Sequence, residues 1–320
     1  MPKLSVIVPC YYNQDNIPIT TSTLIENERL FDSDVEFEYV FVDDGSHDAT
    51  YQAILEFHQA YPEKVKAIKL AKNVGSHNAI LAGLHYATGD ACVILAADLQ
   101  DPPELIPEMY TYWKQGFKLV LANRTDREES FWQRLFATTF HRLIKRLALP
   151  NVPEGGFDLA LFDKVLQQEI VRMSEKNTHI LYLLVWLGYA YVNIPYTRRK
   201  RDIGKSRWTM AKKLKLLIDS FIAFSFAPIR IISLLGLLLG GAALMYGGFV
   251  IVARLLGWIP YVQGWSSLMV VLLLVSAFQM IALGIIGEYI WRVLDAIRSR
   301  PNFIVERMDI VKHSPQAEQK

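Results

Sequence analysis

Cysteine is nearly absent: only Cys10 and Cys92 occur in 320 residues. Both fall in apolar runs that read as buried strands, which fits small core residues in a reducing compartment better than a disulfide or a thiolate metal site. Charge of one sign is also scarce. The formal net charge is +2 at pH 7, so no whole-molecule field draws the chain to nucleic acid. A secretory leader is not expected, because Leu4-Ser5-Val6-Ile7-Val8-Pro9 is too short, lacks a small-residue cleavage site and reads as a first strand. Nor does any histidine stand out as a general base. His141 sits among Arg134, Arg142, Lys145 and Arg146 in an amphipathic helix predicted over 131–147, and reads as a solvated or packed ring.

What the chain does have is a series of strand, loop and helix units whose loops carry the polar groups. The clearest is Cys92 to Glu104, where an apolar run ends in Asp98-Leu99-Gln100-Asp101-Pro102-Pro103. Val93, Ile94 and Leu95 read as a strand buried on both faces, and Pro103 with Glu104 suits the first turn of a helix. Asp98 then stands at a strand's carboxyl end. Open parallel sheets bind ligands at that edge, where a carboxylate can hold a divalent cation and, through it, a phosphate. Asp101 is either a second group of that site or the N-cap of the proline-led helix.

Other units repeat the pattern. Leu4 to Val8 leads through Pro9-Cys10-Tyr11-Tyr12-Asn13 to a helix predicted over 17–30, and Tyr39 to Val42 runs into Asp43-Asp44-Gly45-Ser46 before a helix over 49–61. Val65 to Leu70 precedes Lys72-Asn73-Val74-Gly75 and a helix over 79–87. Gly75 lets the backbone approach a ligand, with the charge of Lys72 beside it. Leu119 to Ala122 makes a fifth strand ending in Asn123-Arg124. The alternation predicts an α/β domain with a mostly parallel sheet. Farther on, Gly155-Gly156-Phe157-Asp158 reads as a turn delivering one acid, a helix is expected over 164–173, and Ala190 to Pro195 reads as a last, edge-like strand.

The second half changes character. Nine of the eighteen residues from Arg198 to Lys215 are basic and only Asp202 is acidic, which calls for an anionic partner. Between Thr209 and Ala227, Lys212, Lys215 and Asp219 oppose Leu214, Leu217, Ile218 and Phe221, as in a helix lying in a membrane interface. Ile231 to Ala253 is 23 residues without a charge and Leu268 to Gly287 another 20, each close to the roughly 20 residues of a spanning helix. Basic residues flank the outer ends and only Arg254 lies between, so both ends are expected in the cytoplasm. Gly236 and Gly240 could pack the spans together or join protomers into a homo-oligomer. The expected organisation is a cytoplasmic domain over 1–208, a juxtamembrane helix over 209–227, a transmembrane hairpin over 228–291 and a loosely ordered cytoplasmic tail over 292–320.

Taken in order, Pro9-Cys10-Tyr11-Tyr12-Asn13, Val42-Asp43-Asp44-Gly45-Ser46, Asn73-Val74-Gly75, Ala97-Asp98-Leu99-Gln100-Asp101-Pro102-Pro103 and Gly204-Lys205-Ser206-Arg207-Trp208, followed by a membrane hairpin, resemble the polyisoprenyl-phosphate glycosyltransferases, bacterial relatives of dolichol-phosphate mannose synthase. The resemblance covers nearly the whole chain. It implies the A-type glycosyltransferase fold, a nucleotide-diphosphate-sugar donor (the family more often uses uridine), a polyprenyl phosphate acceptor such as undecaprenyl phosphate, Mg2+ or Mn2+, inversion at the sugar carbon and a place in the bacterial inner membrane. Carried over by position, Pro9, Tyr11, Asn13, Asp43, Asp44, Lys72, Asn73 and Gly75 would bind the nucleotide sugar, and Asp98 with Gln100 would hold the metal. Asp98, Asp101, Arg124 and Arg201 would serve catalysis. Asp158, Arg198, Arg201, Ser206 and Arg207 would face the acceptor and its phosphate.

Three departures qualify the implication. Ala96 stands where relatives often carry an acid two residues before Asp98, leaving the metal one carboxylate fewer. Gly156-Phe157-Asp158 replaces a common Asp-Phe-Arg. Gly204 stands where processive synthases have a glutamine ahead of Arg207-Trp208, which favours transfer of a single sugar. Two other readings remain open: a membrane-anchored nucleotide-sugar binding protein with weak or lost catalysis, and a glycosyltransferase acting on a different acceptor.

Overall fold

The computed structural model describes residues 1–31, 34–126, 145–146, 149–153, 156–173, 179–199, 203, 219, 222–258 and 264–310. Its first compact unit is built on one eight-stranded sheet in the order β7-β5-β6-β4-β1-β2-β3-β8. Four strands, β1 (Lys3–Cys10), β2 (Glu36–Asp43), β3 (Val65–Leu70) and β4 (Ala91–Ile94), pair in parallel at its centre. Between them run α1 (Ile17–Asn27), α2 (Thr50–Ala60) and α3 (Ser76–Tyr86). Val6, Ile7, Val8, Val40, Phe41 and Val42 are all buried. Continuous apolar runs of this kind need cover on both faces, which crossover helices supply. Cys10 and Cys92 are free and buried in this core, as expected.

The outer half of the sheet departs from a simple parallel series. β5 (Leu119–Asp126) does not lie beside β4, because β6 (Phe157–Asp163) inserts antiparallel between them. The expected turn at Asp158 is therefore corrected to the start of a strand. Leu159 to Phe162 are wholly buried, so the segment shows no alternation, and a four-residue apolar run beside a helix signal is ambiguous. β7 (Tyr191–Thr197) closes this side, parallel to β5, as the edge strand that was expected. Strands β1 to β5 and β7 all run one way and β6 the other, so the loops after Cys10, Asp43, Leu70, Ile94 and Thr197, the end of β5 and the start of β6 share one edge. Beyond the sheet, α4 (Ile106–Lys114), α5 (Lys164–Arg172) and α6 (Ile180–Trp186) complete the unit. Asp163 caps α5, accepting from the Val165 N–H at 3.0 Å.

The tail also differs from expectation. After residue 300 the chain rejoins the sheet as β8 (Val305–Asp309), antiparallel to β3. The Ala71 N–H donates to the Ile304 carbonyl at 2.9 Å, the Tyr51 hydroxyl donates to Asp309 at 2.6 Å and Lys69 pairs with Glu306 at 3.2 Å. Without β8, β3 would be a bare edge.

At the opposite edge from the loops, the buried Glu38 gathers four donors. The Ser5 hydroxyl (2.5 Å), the Thr88 N–H (2.8 Å) and hydroxyl (2.7 Å) and the Lys66 ammonium (2.6 Å) all reach its carboxylate. Both oxygens are satisfied, so the buried charge is tolerated.

A second compact unit spans Ile218–Arg300. It holds α7 (Ala227–Leu255) and α8 (Trp265–Arg298), both longer than the uncharged runs alone indicated. Each is long and apolar enough to cross a membrane, and the most apolar eighteen-residue window of each is unburied. Core helices of a soluble domain would bury such a face. Gly236 faces Phe278, where an added Cβ would lie 3.9 Å from the ring, whereas Gly240 has no neighbour within 4 Å. Arg292 on α8 pairs with Asp219 at 2.6 Å, and the Tyr289 hydroxyl donates to the Ser225 carbonyl at 3.2 Å. Most of the expected 209–227 helix and nearly all of the 131–147 helix lie outside the described residues.

Candidate active site

The first three loops of the carboxyl edge are tied together by their own polar groups. Asp44 accepts from the backbone N–H of Val74 at 2.7 Å with one oxygen and of Gly75 at 3.0 Å with the other. The β2 loop thereby carries the β3 loop. Gly45 makes the approach feasible: its φ is +68°, and a Cβ there would stand 2.6 Å from the Lys72 carbonyl carbon. Gly75, at φ +90°, faces open space, so its role is conformational. On the β1 side, the Tyr12 N–H donates to the Ser46 hydroxyl at 2.9 Å and the Asn13 N–H to the Thr50 hydroxyl at 2.8 Å, while Asn13 Oδ1 accepts from the Tyr11 N–H at 2.7 Å. Pro9, Tyr11, Asn13, Asp43, Asp44, Lys72, Asn73 and Gly75 are thus brought to one place.

The two acids there differ. Asp43 is fully buried, accepts from the Ser46 N–H at 3.1 Å with one oxygen and leaves Oδ2 without a hydrogen-bond partner. Burial raises its pKa above the usual carboxylate value. Burial likewise pushes Asp44 up to about 6, against its two N–H donors, which favour the charged form.

The β4 loop forms the middle of the site. Its start is pinned to α1 by the Thr20 hydroxyl, which donates to the Ala97 carbonyl at 2.8 Å. Leu99 turns through a left-handed φ of +49°, an unfavoured state for a side-chain-bearing residue, between Asp98 and Gln100. Asp98 Oδ1 accepts from the Gln100 N–H at 3.3 Å. Gln100 also holds the chain beyond β7: its carbonyl accepts from the Arg199 N–H at 2.9 Å and its Nε2 donates to the Arg199 carbonyl at 3.3 Å.

Asp101 is not a helix cap. The one-turn helix at Pro103–Leu105 is entered through Pro102 with no side-chain cap, and Asp101 turns inward with 1% exposure. Its Oδ1 accepts a short hydrogen bond from the Tyr196 hydroxyl and lies 3.5 Å from Arg198 Nε, while Oδ2 is buried without a hydrogen-bond partner. Asp158, at the head of β6, contacts Arg124 on β5 and lies 3.5 Å from Arg198 Nη1. Two carboxylates and two guanidiniums therefore form one cluster. Burial, then the neighbouring Arg198, holds the Arg124 pKa below its ordinary value; burial, then Asp101, raises that of Tyr196. Arg201, Ser206 and Arg207 lie outside the described residues.

Three participants were not anticipated. Tyr196 bridges Asp101 and Arg124 from β7; its one signal is an inward register two residues after Ile194. His77, in the first turn of α3 just beyond Gly75, packs against His179, the residue before α6, with ring centroids 3.9 Å apart and the planes tilted by 47°. Neither ring nitrogen of His77 has a hydrogen-bond partner. Burial lowers the His77 pKa to about 4 and holds that of His179 well below its usual value.

A parallel-centred sheet with acid-tipped loops along one edge and a partly buried Arg/Asp cluster beside them defines a nucleotide-binding α/β enzyme. Residues 5–172 match the family model described as Glycosyl transferase family 2, and the chain belongs to that family. It is 36% identical over 95% of its length to a Bacillus subtilis (strain 168) protein named uncharacterized glycosyltransferase YkcC, covering 94% of that protein. It is 33% identical over 96% of its length to the Escherichia coli (strain K12) prophage bactoprenol glucosyl transferase homolog, covering 99% of that protein. Among solved structures, it is similar to a Pyrobaculum calidifontis mannosyltransferase in complex with GDP-Man and Mn2+, at 17% identity and a TM-score of 0.44, over 88% of this chain and 86% of that one.

Proposed function

We propose that the protein transfers one sugar from a nucleotide-diphosphate sugar, UDP-linked, to a polyprenyl phosphate such as undecaprenyl phosphate at the cytoplasmic face of a bacterial inner membrane, with inversion at the sugar carbon. The observation that carries the reading is the guanidinium pair at the carboxyl edge, Arg124 from β5 and Arg198, the first residue of the basic run that leads in sequence to the apolar helices. A relative matched along nearly its whole length is named for bactoprenol glucosyl transfer. Connectivity supports the topology: the chain leaves the catalytic sheet before α7 and returns to it in β8 after α8, as a hairpin with both ends on one side must.

The residues present fit a hard divalent cation. Asp98 and Gln100 offer oxygen donors only, and among the described residues no group of three or more His, Cys, Asp or Glu is arranged to hold a metal by itself. That suits Mg2+ or Mn2+ held by one carboxylate together with the donor's phosphates. Bound there, the cation would neutralise the departing diphosphate. The acceptor, a phosphate monoester with a second pKa of about 6, is already an anion at neutral pH, so no strong general base is needed. The Asp44 clasp holds the donor loops, and Asp101 with Tyr196 orients the guanidinium that faces the acceptor.

The test is a screen of nucleotide sugars with undecaprenyl phosphate in a purified, membrane-reconstituted sample, read by product mass. One donor should give a lipid-phosphate monosaccharide. Donor hydrolysis without lipid product across the panel would overturn the acceptor assignment.

A further inference from the structure

We propose that Asp158 occupies the seat of the acceptor's phosphate, so that the site selects dianionic phosphate monoesters by exchanging this carboxylate for them; the inference rests on the transferase reading above. The two carboxylates of the cluster are not equivalent. Asp101 is 1% exposed and held by the Tyr196 hydroxyl, whereas the Asp158 side chain is 36% exposed. Arg198 lies between them, 3.5 Å from each. Removing Asp101 would strand buried charge. Asp158, the more exposed of the two, can turn into water, and the incoming anion then takes its place beside Arg124, which is 17% exposed and would otherwise be left unpaired. Asp158 is therefore the exchangeable partner and Asp101 the permanent one.

With both carboxylates in place the cluster is neutral. An incoming monoanion merely replaces the charge it displaces and gains little. A dianion brings a second negative charge and a third oxygen to the two guanidiniums, whose fork geometry favours phosphate. A phosphate monoester is a dianion above its second pKa of about 6; a diester or a carboxylate is not. The exchange makes and breaks no covalent bond. It assigns a role to an acid whose own charge is unsuited to bind phosphate.

The experiment is calorimetric titration of the full-length, detergent-solubilised protein with methyl phosphate and with dimethyl phosphate. At pH 7.5 the wild type should bind the monoester at least about tenfold more tightly, and that preference should shrink at pH 5.5 as the monoester becomes a monoanion. Asp158→Asn removes the charge that either ester must displace, so methyl phosphate and dimethyl phosphate should both bind about tenfold more tightly while the preference for the monoester persists. Asp158→Ser serves as a second variant, with melting curves confirming the fold of each. Absence of a monoester preference in the wild type, or unchanged affinity for both esters in a folded variant, overturns the proposal. Displacement of methyl phosphate by UDP would assign the seat to the donor's diphosphate and overturn it as an acceptor site. Because these titrations contain no lipid, failure of the lipid screen would sink the transferase reading while leaving the exchange measurable, and the reverse holds.

Discussion

Tyr196 donates its hydroxyl hydrogen to Asp101 across 95 residues of sequence, and that bond fixes the buried carboxylate against Arg198. Hydrogen bonds to charged groups contribute about 1.5–3 kcal/mol. Tyr196→Phe should therefore lower kcat roughly ten- to a hundredfold. The Michaelis constant for the donor should hardly move, because the donor loops hang on β1 to β3. Asp101→Asn should be comparably damaging, since the amide presents a donor or a neutral acceptor where the cluster needs an anion. Initial rates at matched membrane incorporation check both. Wild-type rates in Tyr196→Phe would remove the bridge from the mechanism.

Gly45 makes the opposite end of the site testable. Adding a Cβ at φ +68° and 2.6 Å from the Lys72 carbonyl carbon forces the β2 and β3 loops apart. Backbone strain of this kind costs on the order of 1–3 kcal/mol. Gly45→Ala should raise the donor's Michaelis constant roughly tenfold or more, because Asp44 can no longer hold Val74 and Gly75 in place. The acceptor's constant should stay near its wild-type value. A variant that folds with unchanged donor affinity would show that the clasp is not part of the donor site.

The acid-tipped strands were legible because their apolar runs stop at carboxylates, so Asp43, Asp44, Asp98 and Asp101 fall at the expected edge; Val65 to Leu70, in which Lys66 and Lys69 interrupt the apolar residues, was nevertheless located to the residue. The presence of α7 and α8 was legible from their uncharged runs, but not their full lengths, because each helix continues past its run into charged or polar residues. β6 was hidden because a strand buried on both faces beside a helix has no period to read. β8 was hidden because its five residues, Val305 to Asp309, are largely polar; only pairing with β3 makes them a strand. Asp101 fits a cap in sequence and becomes something else only when Tyr196, Arg198 and Arg124 arrive from distant strands.

The Glu38 network lies at the edge away from these loops and should separate stability from activity. Its pKa is lowered although burial alone would raise it, because Lys66, Ser5 and Thr88 all favour the charged carboxylate. A depressed folded pKa gives stability that is present above the unfolded value and lost as pH falls through the folded one. Glu38→Gln removes the anionic partner of Lys66, leaving its ammonium the Tyr86 carbonyl at 2.7 Å, and should cost about 3 kcal/mol at pH 7. The variant's melting temperature should depend less on pH below about 4.3, the ordinary glutamate value. Its rate per folded molecule should match the wild type. A variant as stable as the wild type at pH 7 would show that the network contributes nothing net.

His77 gives the last prediction, and its sign is opposite to the ordinary histidine pairing. Burial lowers its folded pKa to about 4, against roughly 6.5 in an unfolded chain. Between those values the unfolded chain binds the extra proton, so stability rises with pH across the window and is complete above about 6.5. His179 reinforces the effect, because its pKa is lowered by burial and then by the charge His77 would carry. Asp44, pushed up to about 6, acts the other way as the native state takes its proton first, but that contribution is common to both proteins and cancels in their difference. His77→Phe keeps a ring against His179 and removes two buried nitrogens that lack hydrogen-bond partners, so the variant should be as stable as the wild type or more so at pH 7. On acidification to pH 4.5 the wild type should lose roughly 1–3 kcal/mol more than the variant. Urea melts at several pH values measure the difference directly, and parallel curves for the two proteins would show that the imidazole pair is not what makes the fold acid-sensitive.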